Sequence, residues 1–85
     1  MERFEYKVSQ ENGIHVRPAG LLVKEAGRHQ STLTIEANGK SADLKRLFAV
    51  MGLGLNCGDS MVITAVGADE REAISQIRIF MEEHL

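Results

Sequence analysis

The sequence has few of the residues that would cross-link it or place it in a membrane. It contains one cysteine, one proline and no tryptophan among 85 residues. The single cysteine, Cys57, cannot form a disulfide within the chain, and its Asn-Cys-Gly-Asp context is typical of a tolerated surface thiol. The longest apolar run, LFAVM at 47–51, is far too short to cross a bilayer. We therefore expect neither a disulfide scaffold nor insertion into a membrane.

A large charge of one sign is also missing. Ten basic and twelve acidic side chains give a formal net charge of −2. A nucleic-acid-binding surface needs a field of positive charge, and no run of basic residues supplies one locally. The first residues, MERFEYK, lack the apolar region of a signal peptide. These features predict a cytoplasmic protein that does not bind nucleic acid.

The residues that are present fit one small domain over 1–85. Apolar residues at 44% and charged residues at 26% are usual for a globular chain, and no linker divides it. Residues 3–8 and 31–37 alternate apolar and polar side chains, which predicts half-buried strands. Asn38-Gly39 predicts a tight hairpin into a short strand at 40–43. The β-branched, apolar segment at 60–67 is typical of a central strand.

Segments with helical spacing separate these strands. Apolar residues with a period of about 3.6 predict a helix that carries Pro18 in its first turn and ends at Gly27. Residues 44–53 predict a short second helix with one apolar face. Asp69 and Glu72 form a D-x-x-E capping pair before a third, amphipathic helix. The order β-α-β-β-α-β-α indicates an α+β sandwich with helices on one face of a sheet.

One segment, NGIHVRPAG at 12–20, groups residues that can handle a phosphoryl group. If the first helix starts near residue 16, His15 lies at its N-cap beside the free N–H groups of Val16 and Arg17. Helix N-termini bind anions, and the fork of an arginine matches phosphoryl oxygens. Positive surroundings favour a neutral imidazole, as a nucleophile must be. The alternative interpretation of His15 is a helix cap or a solvated surface residue, and the grouping favours the chemical one.

Other kinds of chemistry lack their residues in this chain. No second carboxylate, P-loop lysine or magnesium motif is present, which argues against nucleotide hydrolysis. His29 and His84 have no metal-ligand spacing to each other or to Cys57, so no metal site is predicted. No cofactor is expected either. A neutral imidazole beside donors for an anion is a chemical rationale for accepting and releasing a phosphoryl group.

Three segments carry a resemblance that spans essentially the whole chain. NGIHVRPAG, LKRLFAVMGLGLNCGD and GADEREA closely resemble HPr, the family of histidine-containing phosphocarriers of the bacterial phosphoenolpyruvate:sugar phosphotransferase system. The resemblance implies an open-faced β-sandwich, with a four-stranded antiparallel sheet and three helices on one face. It also implies that Nδ1 of His15 accepts a phosphoryl group from phosphorylated enzyme I and passes it to the EIIA domain of a sugar permease. Arg17 matches the arginine that positions the phosphate in the family.

The resemblance places a partner-binding surface on the second helix. It implies that Leu47, Phe48 and Met51 form an apolar patch, beside the active-site helix, that contacts both partners. Three apolar residues within five helical positions cannot all face inward, which favours exposure of Phe48, while Leu47 or Met51 partly joins the core. Gly20 replaces the usual small Ala or Ser; it weakens the helix by up to about 1 kcal/mol but leaves the contact face open. A monomer is expected.

Position 46 departs from the family pattern. Arg46 stands where the Gram-positive members phosphorylated by HPr kinase carry a serine, so we expect this regulatory switch to be absent. A serine would also cap the short helix, and its loss costs about 1 kcal/mol unless Asp43 or Ser41 takes over the role.

The alternative function is an HPr-like regulatory module that controls a transcription factor or an enzyme by phosphorylation-dependent contact. Paralogues that act by contact are expected to lose the histidine and keep the serine. This chain does the reverse, with His15 present and Arg46 at the serine position. A carrier for sugar uptake and a carrier for a regulatory phosphorylation chain would use the same surface, so both stay open.

Overall fold

A computed structural model describes residues 1–11, 13–14 and 16–85 of the protein. Within these residues, strands and helices follow the predicted order β-α-β-β-α-β-α. The elements are β1 (Glu2–Lys7), α1 (Val16–Ala26), β2 (Thr32–Ala37), β3 (Lys40–Asp43), α2 (Leu47–Met51), β4 (Ser60–Val66) and α3 (Glu70–His84).

The described strands form one antiparallel sheet in the order β1-β4-β2-β3. Strand β4 pairs with β1 on one side and with β2 on the other, which confirms that segment 60–67 is a central strand. The register places Phe4 and Ile35 on either side of Ile63. Because side chains alternate between the faces of a strand, this row of three apolar side chains lies on one face of the sheet.

The helices cover that apolar face. Helix α3 packs against β1 and β4, α1 packs against α3 and α2, and α2 packs against β3. The largest side chains that this packing buries completely come from the sheet, the helices and the loops, among them Leu22, Leu33, Ile35, Leu44, Met61, Ile63, Ile77 and Met81. The fold is therefore the α+β open-faced β-sandwich that the resemblance implied.

The β2–β3 hairpin turns at Asn38-Gly39, as predicted. Both residues have left-handed backbones, with φ of 53° and 75°, which is the conformation of a type I′ turn. The Asn38 side-chain amide also donates to the Leu53 carbonyl oxygen at 3.0 Å. The turn residue thus links the hairpin to the loop that follows α2.

Helix α2 is shorter than predicted, because its expected first residues lie in a turn. The Leu44 N–H donates to Leu33 O at 2.9 Å, and the Lys45 N–H donates to the Asp43 carboxylate at 2.9 Å. Arg46 is the N-cap and makes no side-chain capping hydrogen bond. Asp43 therefore holds the preceding turn and does not cap α2, while Ser41 lies within β3.

The predicted capping role of Asp69 is wrong. Asp69 is the N-cap residue of α3, but its side chain makes no capping hydrogen bond. Its carboxylate accepts from the N–H groups of Gln30, at 2.9 Å, and Ser31, at 2.8 Å, and from the Ser31 hydroxyl. Glu70 instead accepts from the Gly67 N–H at 3.1 Å. The Asp69 carboxylate therefore bonds to donors that lie far away in the sequence and not to the N–H groups of its own helix.

These hydrogen bonds make the stability of the fold depend on the charge of Asp69. The Ser31 hydroxyl and the Gln30 N–H lower the pKa of Asp69 from 3.8 to about 2. A carboxyl whose pKa is lowered by folding stabilises the protein above its unfolded pKa, and this contribution disappears as the pH falls through the folded pKa. We expect Asp69→Asn to lower the Tm by several degrees at pH 7 and to change it little near pH 2.

Thermal unfolding of both proteins, followed by circular dichroism from pH 7 to pH 2, measures this difference. Glu72→Gln is the matched control, because Glu72 lies in the same first turn and is exposed. A difference in Tm between the wild type and Asp69→Asn that stays constant over this range would show that the charge of Asp69 does not contribute.

Candidate functional site

Helix α1 begins at Val16, which agrees with a start near residue 16. The predicted nucleophile, His15, immediately precedes it and lies outside the described residues. No carbonyl inside a helix can accept from the N–H groups of its first turn, and Pro18 has no N–H. Val16 and Arg17 therefore present the backbone donors next to position 15. The first turn of α1 also contains no acidic residue.

The Arg17 side chain is exposed at this helix start. No carboxylate in the described part of the chain lies within ion-pair distance of its guanidinium. It lines an open cavity of about 360 Å³ together with Pro18, Leu21 and His84. Arg17 is thus available to an anion, and the fold brings His84 to the same cavity, which the sequence did not predict.

The segment before α1 is held by the loop after α2. Ile14 is buried, and its N–H donates to Leu55 O at 3.1 Å. Gly13 has a φ of +64°, and a Cβ at this position would collide with the Leu55 carbonyl oxygen and lie 2.8 Å from the Asn56 Cα. Cys57 is exposed in the same loop, as predicted. The closeness of two backbones explains the glycine, a constraint that the sequence pattern did not show.

The predicted apolar patch on α2 divides into one exposed side chain and two that reach the core. Phe48 is 87% exposed. Leu47 and Met51 are half-buried and pack against the core around Val50. Phe48 therefore presents most of the apolar surface that α2 offers to solvent.

The neighbouring helix carries further apolar surface. On α1, Val16 is 66% exposed and Leu21 is 44% exposed. Gly20 is half-buried, and a Cβ added there would meet no described atom within 4 Å. Val16 and Gly20 lie one turn apart on the same face of α1. The glycine thus leaves space beside Val16, although the fold itself does not require it.

The Arg46 side chain is 78% exposed and lies two residues before Phe48. Its Nε atom is 3.8 Å from the Asp43 carboxylate, a distance at which an exposed pair contributes little. Because arginine has no hydroxyl group, this position cannot be phosphorylated by a kinase that modifies serine. The exposed surface near Phe48 carries a permanent positive charge instead.

The His29 side chain is enclosed although the sequence around it is polar. Its side chain is only 8% exposed, with Nε2 at 3.2 Å from the Glu25 carboxylate and Nδ1 at 3.8 Å from that of Asp69. The Lys45 ammonium donates to the His29 carbonyl oxygen at 2.8 Å. Glu25 and His29 are four residues apart across the end of α1, and this spacing was a signal for the pair. The cluster joins the end of α1 to the start of α3.

The described residues show neither a metal site nor a membrane span. No group of three or more His, Cys, Asp or Glu side chains among them is arranged to hold a metal ion. Within the same part of the chain, every helix is too short or too polar to cross a bilayer.

Comparisons with known proteins agree with this geometry. A family model described as the PTS HPr component phosphorylation site matches residues 2–83. The histidine-containing phosphocarrier protein of a Mycoplasma is 35% identical, with a TM-score of 0.94 over 96% of this chain and 93% of that one. The phosphocarrier protein HPr of Bacillus anthracis is 32% identical, with a TM-score of 0.87 over 94% of this chain and 95% of its own.

A protein with a different role is also similar. The Bacillus subtilis catabolite repression protein Crh, crystallised as a domain-swapped dimer, is 30% identical, with a TM-score of 0.77 over 100% of this chain and 98% of its own. The same fold and a comparable identity therefore occur in phosphocarriers and in a catabolite repression protein.

Proposed function

Because the chain belongs to the HPr family, we propose that it is a phosphocarrier that accepts a phosphoryl group on His15 from phosphorylated enzyme I and passes it to the EIIA domain of a sugar permease. The observation that supports this proposal best is the state of Arg17. Its guanidinium is exposed in the first turn of α1, two residues after His15, and has no carboxylate partner among the described residues.

The proposed step exchanges one bond to phosphorus for another. Nδ1 of His15 forms a bond to the phosphorus atom while the bond between phosphorus and the donor group of enzyme I breaks. Charge on the phosphoryl oxygens grows or shifts during this exchange, and aimed N–H donors stabilise it. The N–H groups of Val16 and Arg17 and the Arg17 guanidinium are these donors. Transfer to EIIA repeats the exchange with His15 as the donor.

The test is to incubate the protein with enzyme I and phosphoenolpyruvate and to measure its intact mass. We expect one added phosphoryl group that is lost in acid, as expected for a phosphohistidine, and then its transfer to an added EIIA domain. The control is His15→Ala, which should stay unlabelled. A wild-type protein that is never labelled, or a labelled His15→Ala variant, would exclude the proposal.

The similarity to Crh supports a second candidate, an HPr-like regulatory module that acts by phosphorylation-dependent contact with a transcription factor or an enzyme. Its role would require His15 to be phosphorylated, since Arg46 removes the serine switch. Labelling by enzyme I without transfer to any EIIA domain would favour this candidate over sugar uptake.

We further propose that the protein acts in the cytoplasm as a monomer. Strand β1 pairs with β4 of its own chain over six residue pairs, from Glu2 opposite Ala65 to Lys7 opposite Ser60. The edge of β4 that faces β1 is therefore paired within a single chain. Light scattering during gel filtration is expected to give the mass of one chain, and a stable dimer would contradict this.

Phe48 gives a prediction about docking that is separate from chemistry. Its aromatic ring is exposed on α2 and has no group that could take part in phosphoryl transfer. Loss of one aromatic anchor from a small interface costs about 2 kcal/mol. Phe48→Ala should therefore raise the KM of enzyme I for this carrier by roughly 10- to 30-fold and change kcat little, because the lost contact is the same before and during transfer.

Steady-state transfer from enzyme I measures both constants. Val66→Ala is the matched control, since Val66 is 52% exposed at the end of β4, away from α2. If both variants keep the KM of the wild type, Phe48 does not dock on enzyme I and the binding surface lies elsewhere.

A further inference from the structure

The cavity beside Arg17 contains a histidine that the proposed transfer step does not use. It lies between the first turns of α1, which contribute Arg17, Pro18 and Leu21, and the last turn of α3, which contributes His84. Helices α1 and α3 pack against each other, so the fold itself forms the cavity. Arg17 and His84 are its polar lining side chains, and no acidic residue lines it in the described structure.

The His84 ring has a defined support. It stacks on the Phe80 ring, one turn earlier on α3, with 4.4 Å between the ring centroids and an angle of 29° between the planes. The side chain is exposed, so both ring nitrogens can meet solvent or a ligand. His84 also lies in the last turn of α3.

The lining indicates the charge of the ligand that this cavity would take. A guanidinium and an imidazolium are both donors without an acceptor, and together they match an oxyanion. Pro18 has no N–H, and Leu21 provides an apolar wall, so the polar contacts of a ligand fall to the two basic side chains. A phosphoryl group held by Arg17 would therefore lie in a cavity that His84 also lines.

We infer that His84 is a second phosphate-positioning residue, which holds the phosphoryl group together with Arg17 when its imidazole is protonated. This inference rests on the proposed function and adds a regulation by pH to it. Histidine is the side chain that changes its charge between pH 5 and 8. The carrier would then hold its phosphoryl group more firmly, and accept it faster, at the acidic end of this range.

The other charged groups near His84 are consistent with this behaviour. Across the cavity, α1 presents Arg17. Beyond Leu21 and Phe80, an adjoining cavity is lined by the charged residues Lys24, Glu25 and Arg28. On α3 itself, two exposed carboxylates, Glu82 and Glu83, precede His84. On the side of the loop before α1, the uncharged Ser9 hydroxyl donates to an oxygen of Leu85, the last residue of the sequence, whose α-carboxylate adds a negative charge next to His84. Charges of both signs therefore lie near His84, and a phosphoryl dianion that arrives beside Arg17 would add negative charge to this group.

The first test measures the titration of the histidine rings by NMR. The unphosphorylated protein is compared with the protein kept phosphorylated by enzyme I and phosphoenolpyruvate, with the pH lowered from the alkaline side. If the protonated ring of His84 binds the phosphoryl group ten times more tightly than the neutral ring does, linkage requires that phosphorylation raises the titration midpoint of His84 by about one pH unit. His29 is the internal control, because it lies between Glu25 and Asp69 at the other end of α1. An unchanged midpoint of His84 would overturn the inference.

A second arm does not depend on enzyme I. Inorganic phosphate, added to the unphosphorylated protein at low ionic strength and pH 6, should shift the ring signals of His84 and the side-chain Nε–H signal of Arg17, and leave those of His29 in place. If phosphate shifts these signals but enzyme I never labels the protein, the cavity binds phosphate and the proposed carrier function fails. If neither phosphate nor phosphorylation affects His84, the inference fails whatever enzyme I does.

Variants separate positioning from a structural role. His84→Gln should lower kcat/KM for transfer from enzyme I several-fold at pH 6 and leave it near the wild-type value at pH 8.5. His84→Lys, which keeps a cation throughout this range, should retain activity at both. Equal losses for His84→Gln at both pH values would show that the residue only supports the helix end, and would contradict the inference.

Discussion

Arg17→Glu is expected to slow phosphoryl transfer from enzyme I to this protein by two or more orders of magnitude. The substitution removes the exposed guanidinium from the first turn of α1 and places a carboxylate against an incoming phosphoryl group. Loss of one donor aimed at developing charge costs about 10²- to 10³-fold in rate, and a repelling carboxylate adds to that loss. Single-turnover transfer, in rapid-mixing experiments with phosphorylated enzyme I in excess, measures the chemical step directly.

Two variants control for charge and for geometry. Arg3→Glu makes the same change of charge on β1, at an exposed residue paired with Thr64, and should leave the rate near that of the wild type. Arg17→Lys keeps the charge but loses the fork that binds two oxygens, so an intermediate rate is expected. A transfer rate for Arg17→Glu within a few-fold of the Arg3→Glu rate would mean that Arg17 does not contact the phosphoryl group.

Gly13→Ala is expected to destabilise the protein by roughly 2–5 kcal/mol. The left-handed backbone of this residue, with a φ of +64°, costs an alanine about 1–2 kcal/mol. The new methyl group would also collide with the Leu55 carbonyl oxygen and press on Asn56, and overpacking of this kind costs about 1–3 kcal/mol. The atoms of residues 55–56 that would meet the new methyl group belong to the backbone, so they cannot move aside as a flexible side chain would. Urea unfolding measures the free energy of unfolding for each protein.

The chain provides a matched control for the two parts of this cost. Gly39 also has a left-handed backbone, with a φ of +75°, but a Cβ there would meet nothing within 4 Å. Gly39→Ala should therefore lose only the conformational part, about 1–2 kcal/mol. Equal destabilisation by the two substitutions would show that the close approach of Leu55 to Gly13 does not constrain the loop.

Local sequence patterns were sufficient to predict which side chains of a strand are buried and where a hairpin turns. The alternation through Leu33, Ile35 and Ala37 predicted a strand, and all three side chains are buried. Asn38-Gly39 predicted the hairpin, since few other dipeptides adopt two left-handed conformations in succession. These predictions were correct because period and backbone preference are properties of short segments.

The patterns failed where a distant group supplied a better partner. Asp69 has the residue type and position of a helix cap, yet its carboxylate bonds to residues 30 and 31, which lie far from it in sequence. Helix α2 lost its first predicted turn because Leu44 bonds to β2 and becomes buried. The polar sequence around His29 gave no sign of burial, but the approach of α3 encloses its side chain. Each outcome depends on which elements the fold brings together.

The sequence by itself determined the order of the elements and the buried faces of the strands, because these follow from periodicity and turn chemistry. It also favoured the exposure of Phe48, because one short helix cannot bury all of its apolar residues. The resemblance carried by NGIHVRPAG, LKRLFAVMGLGLNCGD and GADEREA added the family. Only the tertiary structure decided that Gly13 must lack a side chain, that Asp69 serves the loop at 30–31, and that His84 lines the cavity of Arg17. Those three features arise from contacts between residues that are tens of positions apart. A pattern within a short segment cannot show which distant residues the fold brings into contact.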